Sequence, residues 1–149
     1  MTELKERTFA LLNTWTTCDT SLVAADLAPS FIEYDRPQPT AEGLAGLNEK
    51  LGLFHKAHKD VRIIVLKQIA SDNIVCTEWL LTSTARTPDG EGDNADKPIL
   101  QPGISWTYFA NGKIIKNRIY RDMVGYLIQR GYNWSPAPAA APANKEKQS

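Results

Sequence analysis

The stretch "GKIIKNRIYRDMVGYLIQRG", residues 112–131, changes period partway along and sets the register of what precedes it. Up to Arg121 the side chains alternate as in an extended strand, so Arg118, Tyr120 and Asp122 project to one side and Ile119 and Arg121 to the other. From Met123 the spacing is that of a short helix closed by Gly131. A guanidinium, a phenol and a carboxyl are thereby gathered on one surface, at the end of a strand.

Upstream, Asn111-Gly112 is the dipeptide of a tight hairpin, which makes "ISWTYF" (104–109) the partner strand. Residues 61–86 read as another antiparallel pair, "VRIIVLKQI" and "IVCTEWLLTSTAR", joined at "ASDN". Between the two pairs lies "TPDGEGDNADKPILQP", polar and rich in Gly, Pro and Asp, which is expected to be a long loop over 86–102. Its acidic run lacks the closing Glu and regular oxygen spacing of a calcium loop.

The N-terminal third is helical. Leu4, Thr8, Leu11, Leu12 and Trp15 share a side of a first helix. After Asp19, Thr20 and Ser21, all suited to a helix start, Leu22, Val23 and Leu27 are expected to form a short second helix that Pro29 helps to end. "FIEYDRPQP" follows as a short strand. Thr40 is the expected N-cap of a third helix in which Leu44, Leu47, Leu51, Phe54 and His58 keep the helical period.

Helices first and meandering strands later give an α+β domain, with helices packed on one face of an antiparallel sheet. Strongly curved, such a sheet encloses a pocket between itself and the helices. With 149 residues, 42% of them hydrophobic, the chain suits one compact domain over 1–134, and the Pro/Ala-rich segment 135–149 is expected to be a disordered tail.

Lys plus Arg and Asp plus Glu both number 17, a balance that counts against nucleic acid or an acidic membrane as partner. Cys18 and Cys76 have no paired spacing that would mark a zinc site or disulfide framework, and His55 and His58 alone make a poor metal site. No stretch has the length of a membrane span, and the charged N-terminus lacks a signal peptide's apolar run. A cytoplasmic protein is expected. No phosphate-binding Gly loop, nucleophile elbow or dinucleotide fingerprint is present.

Three stretches carry a family resemblance: "DLAPSFIEYDRPQPTAEGLAGL", "FHKAHKDVRIIVLKQIASDNIVCTEWLLTSTA" and "FANGKIIKNRIYRDMVGYLIQRG". Together they span most of residues 20–131, and the chain resembles the SnoaL-like polyketide cyclases, also called ester cyclases, of the nuclear transport factor 2-like superfamily. The resemblance implies a cone-shaped curved antiparallel sheet with N-terminal helices on its concave face (a cystatin-like α+β barrel). It also implies a homodimer through the sheet face and cofactor-independent aldol or proton-transfer chemistry on a small hydrophobic carbonyl compound. Asp122 falls on the family's acid/base carboxylate, while Arg118 stands where the family often has Trp and Tyr34 where it often has His. Ketosteroid isomerases are similar at "EYDRP", where Asp35 matches their base, but they need a tyrosine on the first helix and this chain has none before Tyr34. Limonene epoxide hydrolases need an Arg and an Asp where this chain has Trp79 and Leu81.

The catalytic candidates are therefore Asp122 as general base, a carboxyl whose basicity burial raises and a neighbouring Arg restrains, and Arg118 as a forked donor to an enolate oxygen. Asp122 is also an apt N-cap for the last helix, and Arg118 an apt solvated edge cation. Tyr34, Tyr120, Trp79, Trp106, Trp15 and His58 are the candidate substrate-binding wall, each an ordinary core residue in the alternative. Asp35 reads as a turn residue ahead of Arg36-Pro37. No metal or cofactor is expected. The alternative function is a non-catalytic small-ligand-binding or dimeric accessory protein, since this fold hosts many activities.

Overall fold

The computed structural model describes residues 2–86 and 96–132. Its elements run α1 (Thr2–Thr17), β1 (Leu27–Tyr34), β2 (Ala41–Glu42), α2 (Gly43–Ala57), β3 (His58–Ser71), β4 (Ile74–Ala85), β5 (Lys97–Ala110), β6 (Lys113–Arg121) and α3 (Met123–Gln129). The six strands form one curved, open sheet in the order β2-β1-β6-β5-β4-β3. Strands β3 to β6 are an antiparallel meander, and β1 lies parallel to β6. The expected α+β architecture, with helices on the concave face, is what is found.

Sequence alternation explains the sheet. On the concave side Val75, Thr77, Trp79, Leu81 and Ser83 of β4 are buried, as are Ile99, Gln101, Ser105, Thr107 and Phe109 of β5. Helix α1 covers β3 and β4 with Leu11, Leu12 and Trp15, and α2 covers β1 with Leu47 and Leu51. Phe31 and Ile114 complete the core at the β1–β6 seam. The hairpin at Asn111-Gly112 has both φ angles positive (49° and 74°), as a tight primed turn requires.

Four local readings are corrected. Residues 21–26 are turns, not a helix: Val23 and Ala24 both donate to the Thr20 carbonyl, and by Leu27 the chain already pairs with Ile114 of β6. Pro29 lies within β1, in the irregular stretch between Leu27 and Ile32, where a missing N–H removes no ladder bond from the regular register. Strand β3 begins at His58, where the third helix was expected to continue. Strand β5 begins at Lys97, inside the expected long loop, because Ile99 and Gln101 are inward-facing and buried despite Pro98 and Pro102. Residues 87–95, with most of the acidic run, and the tail 135–149 lie outside the described residues.

Trp79 lies flat across Gly103, its ladder partner, and its indole N–H donates to Ser105 Oγ at 2.8 Å. A Cβ at position 103 would stand 2.3 Å from the Trp79 ring. Gly103→Ala is expected to destabilise the domain by about 1–3 kcal/mol through overpacking, measured by urea unfolding. An unchanged midpoint would show that the ring has room to move.

Candidate functional site

The site grows from three adjacent segments whose inward positions are polar where the rest of the core is apolar. On β1 the inward series is Phe31, Glu33 and, one step past the strand, Asp35; on β6 it is Asn117, Ile119 and Arg121. The parallel register sets Glu33 beside Asn117. Helix α2 then brings Lys50, one turn on from Leu47, over the two carboxylates.

Glu33 is 0% exposed, and both its oxygens are engaged: Lys50 Nζ donates to Oε1 at 2.7 Å and Asn117 Nδ2 to Oε2 at 3.0 Å. Asn117 Oδ1 in turn accepts from Thr107 Oγ1 at 3.0 Å. The Asp35 side chain is 4% exposed; its Oδ2 meets Lys50 Nζ at 3.0 Å and Arg121 at 2.9 Å. The Arg36 guanidinium approaches its other oxygen at 3.9 Å from the solvent side. Thr40, the expected cap of α2, serves this cluster instead. Its hydroxyl accepts from Lys50 and from the Asp35 backbone N–H, and donates to the Glu33 carbonyl, while Glu42 precedes the helix without a side-chain cap. Trp15 of α1 is the floor, with Lys50 5.3 Å and Arg121 6.0 Å from its ring centroid.

Burial pushes the Asp35 carboxyl upward, and the charges of Lys50, Arg121 and Arg36, with the Lys50 hydrogen bond, outweigh it, leaving Asp35 below the ordinary aspartate range. It is ionised at neutral pH. Burial pushes the His58 imidazole down, and the Arg130, Arg121 and His55 charges add to this against the opposing Phe54 carbonyl. His58 is therefore neutral at pH 7.

Space for a ligand lies at the mouth of the fold. An open cleft of about 900 Å³ is walled by Trp15, Asp35, Arg36, Thr40, Lys50, Leu53, Phe54 and Arg121, among others. The interior behind Trp15 and Arg121 is nearly filled: a hollow of about 10 Å³, lined also by Ile63, Trp79, Leu81 and Ile119, is the volume of a single water. The pocket expected between sheet and helices is instead a cleft at the mouth, because Trp15 and Trp79 pack into the space between them.

The sequence candidates divide accordingly. Trp15 lines the cleft and Trp79 the small hollow. Arg118 and Tyr120 do share a face, but it is the outer one: Arg118 stacks 4.6 Å over the Tyr34 ring opposite Trp106, and Tyr120 is 57% exposed. Arg118 and Tyr120 line a second recess of about 380 Å³, reached also by Asp35, Arg36 and Arg121. Asp122 is exposed and caps α3, accepting from Gly125 N–H at 2.8 Å, outside both spaces. Trp106 is 40% exposed on the outer face. His58 is buried at the α2–β3 junction, 2.8 Å from Tyr126 Oη and stacked behind Phe54, whose ring lines the cleft while the imidazole does not. Asp35, read from sequence as a turn residue, is the carboxylate that the fold encloses. Glu33, Lys50 and Asn117 were not anticipated. For Asn117 the signal was Ile119: it marks the apolar face of β6, and Asn117 and Arg121 share its parity.

Among the described residues no group of three or more His, Cys, Asp or Glu could hold a metal, and no helix is long and apolar enough to cross a membrane.

This curved sheet recurs in solved structures. AclR, a candidate hydroxylase from Streptomyces galilaeus, superposes with a TM-score of 0.72 at 18% identity over 93% of this chain and 91% of that one. A candidate SnoaL-like polyketide cyclase from Shewanella putrefaciens gives 0.74 at 10% identity over 88% and 98%. A protein with a ketosteroid isomerase-like fold from Catenulispora acidiphila gives 0.69 at 15% identity over 88% and 98%. These likenesses define the fold class. The sequence itself matches the SnoaL-like polyketide cyclase model over residues 7–130, and the chain belongs to that family. No curated protein matches it by sequence.

Two outcomes test the charge cluster. Lys50→Met leaves Glu33 buried and unpaired and is expected to cost about 3–5 kcal/mol in urea unfolding. Because the folded Asp35 value is depressed, its stabilising contribution is fully present above the unfolded value of about 3.9 and is lost as pH falls through the lower folded value. Asp35→Asn should flatten the pH dependence of stability in that acidic window; an unchanged slope would count against the pairing.

Proposed function

We propose that the protein is a cofactor-independent cyclase or isomerase acting on a small carbonyl compound, with Asp35 as general base. Family membership supports the reaction class. The observation that carries the reading is a nearly enclosed, ionised carboxylate on the wall of an open cleft, shared by two cations that can also reach a substrate oxygen.

The substrate's apolar part lies against Trp15, Leu53 and Phe54, and its carbonyls point toward Asp35. As Asp35 takes a proton from the carbon between two carbonyls, the negative charge leaves the carboxylate and appears on the enolate oxygen. Lys50 and Arg121, freed from half of their pairing, then stabilise that oxygen without having to be recruited. This transfer offsets the low basicity of Asp35: the cations that hold its proton affinity down lower the enolate's energy as well. The enolate carbon closes on a second carbonyl, whose alkoxide oxygen takes the proton back from the Asp35 acid, or the enolate is reprotonated by that acid at another carbon.

The sequence reading gave the base role to Asp122 with Arg118 beside it; the cap position of Asp122, outside the cleft, favours Asp35. The second reading, an apolar-ligand binder without chemistry, draws on the saturation of Asp35 by cations. A back-to-back pair of chains is also proposed, because Leu66, Leu100, Ile104 and Trp106 are exposed together with Tyr120 on the outer side of the domain.

Deuterium exchange at the acidic carbon of a panel of 1,3-dicarbonyl compounds, followed by NMR, tests the reaction without the natural substrate. Exchange above the buffer rate is expected, falling by about 10²–10⁴-fold in Asp35→Asn. Loss in Asp122→Asn with Asp35→Asn intact would return the base to Asp122. Saturable quenching of Trp fluorescence with no accelerated exchange would support the binder. For assembly, sedimentation is expected to give a dimer that Trp106→Lys converts to monomer; a wild-type monomer would overturn the pairing.

A further inference from the structure

Three features outside the proposed chemistry invite a role. His58 with Tyr126 and Arg130 is a closed polar knot, satisfied by the Phe54 carbonyl and set behind the Phe54 ring instead of on the cleft wall. The recess beside Arg118 and Tyr120 is a shallow surface with no enclosed polar group beyond those of the main site. Glu33 is different: it is fully buried and ionisable, has no access to a ligand, and nevertheless sits one residue-pair away from the proposed base.

We infer that Glu33 is a positioning residue for that base: it anchors Lys50 throughout the reaction and supplies the counter-charge that keeps Lys50 from suppressing the basicity of Asp35 too far. The inference rests on reading Asp35 as the base. Lys50 has three ammonium protons, directed at Glu33 Oε1, Thr40 Oγ1 and Asp35 Oδ2. When Asp35 becomes neutral its hold on Lys50 weakens, and Glu33 at 2.7 Å with Thr40 at 3.0 Å keeps the ammonium in place. Glu33 is itself fixed through Asn117 to Thr107, a chain of side-chain bonds crossing α2, β1, β6 and β5. A counter-ion meant only to neutralise Lys50 would not need Asp35 as well, because one carboxylate suffices for one ammonium.

The charges around Asp35 define the expectation. Lys50 from α2, Arg121 from β6 and Arg36 from its own segment contact it. Arg118 lines the adjoining recess, Glu42 and Glu49 line the outer cleft, and α1 presents the uncharged Trp15. Glu33 is the one anion held on the same ammonium. Removing its charge leaves the full field of Lys50 on Asp35, so in Glu33→Gln the Asp35 carboxyl must titrate at lower pH than in wild type.

Carbon-13 NMR titration of the Asp35 carboxyl in the full chain reads this directly and needs no substrate. The expected result is a downward shift in Glu33→Gln, with wild-type titration restored in Glu33→Asp. An unchanged titration in folded Glu33→Gln, whatever its stability, would reduce Glu33 to a structural residue and overturn the inference. Should Glu33→Gln not fold, Lys50→Gln is compared with Glu33→Gln/Lys50→Gln. Asp35 titrates lower in the double variant if the Glu33 charge reaches it, and equal titrations overturn the inference. Failure of Asp35 as base is separate, appearing as full exchange activity in Asp35→Asn.

Discussion

A carboxylate at the seam of β1 and β6 cannot be left without a partner, and the pairing of Glu33 with Lys50 is the condition that organises the mouth of this fold. Glu33 is sealed from water on the inward face of β1, under Lys50 of α2, in a place where an unpaired charge would cost several kcal/mol. Lys50 must therefore sit above β1, which fixes the rotation of α2 about its axis with Leu47 and Leu51 in the core. The same placement leaves a third ammonium proton pointing toward the strand's end, where Asp35 receives it. The site is thus a by-product of how α2 docks, and its precision comes from the core beneath it.

The parallel β1–β6 contact supplies the other half. In an otherwise antiparallel sheet it brings two strand ends to the same edge, so Asp35 and Arg121 emerge side by side from segments 86 residues apart in sequence. Trp15 closes the space beneath them. A flat aromatic floor under an ammonium and a guanidinium keeps both cations dry on one side without competing for their protons, which remain directed at the carboxylates. The cost is volume, since the ring that supports the cations also fills the interior.

The architecture was legible from the sequence because its main signals are local. The change from helical to alternating period near Val61, the Asn111-Gly112 turn and the capped C-terminal helix each follow from residues within a few positions of one another. The site was not legible in the same way. Choosing the inward face of β6 required deciding between Arg118/Tyr120 and Asn117/Arg121, and the chemically richer set was preferred over the parity of Ile119, which is 5% exposed. A register irregularity near Tyr108 and Phe109 reverses the phase between Ile114 and Ile119, so counting from the hairpin misleads as well. Asp35 looked like a turn residue because it is one, in the bend after β1; that the bend is roofed by α2 depends on a contact with Lys50, invisible to any local pattern.

Asp122 and Asp35 show how the same side chain takes opposite characters a short distance apart. Asp122 follows β6 and turns its oxygen back onto the Gly125 amide, gaining a helix cap on the exposed surface, with a neutral donor as its partner. Asp35 follows β1 under α2, where burial alone would favour its protonated form and Lys50, Arg121 and Arg36 reverse that preference. A carboxylate whose ionisation is a balance of large opposed contributions responds strongly when one of them is redirected, whereas a solvated cap has little to redistribute. In the proposed reaction a carbonyl oxygen placed in the cleft would draw on the same Lys50 and Arg121 protons that stabilise Asp35, and so return proton affinity to the carboxylate. On the proposed reading that coupling follows from shared donors, and it is what favours the enclosed, cation-bound aspartate as the base.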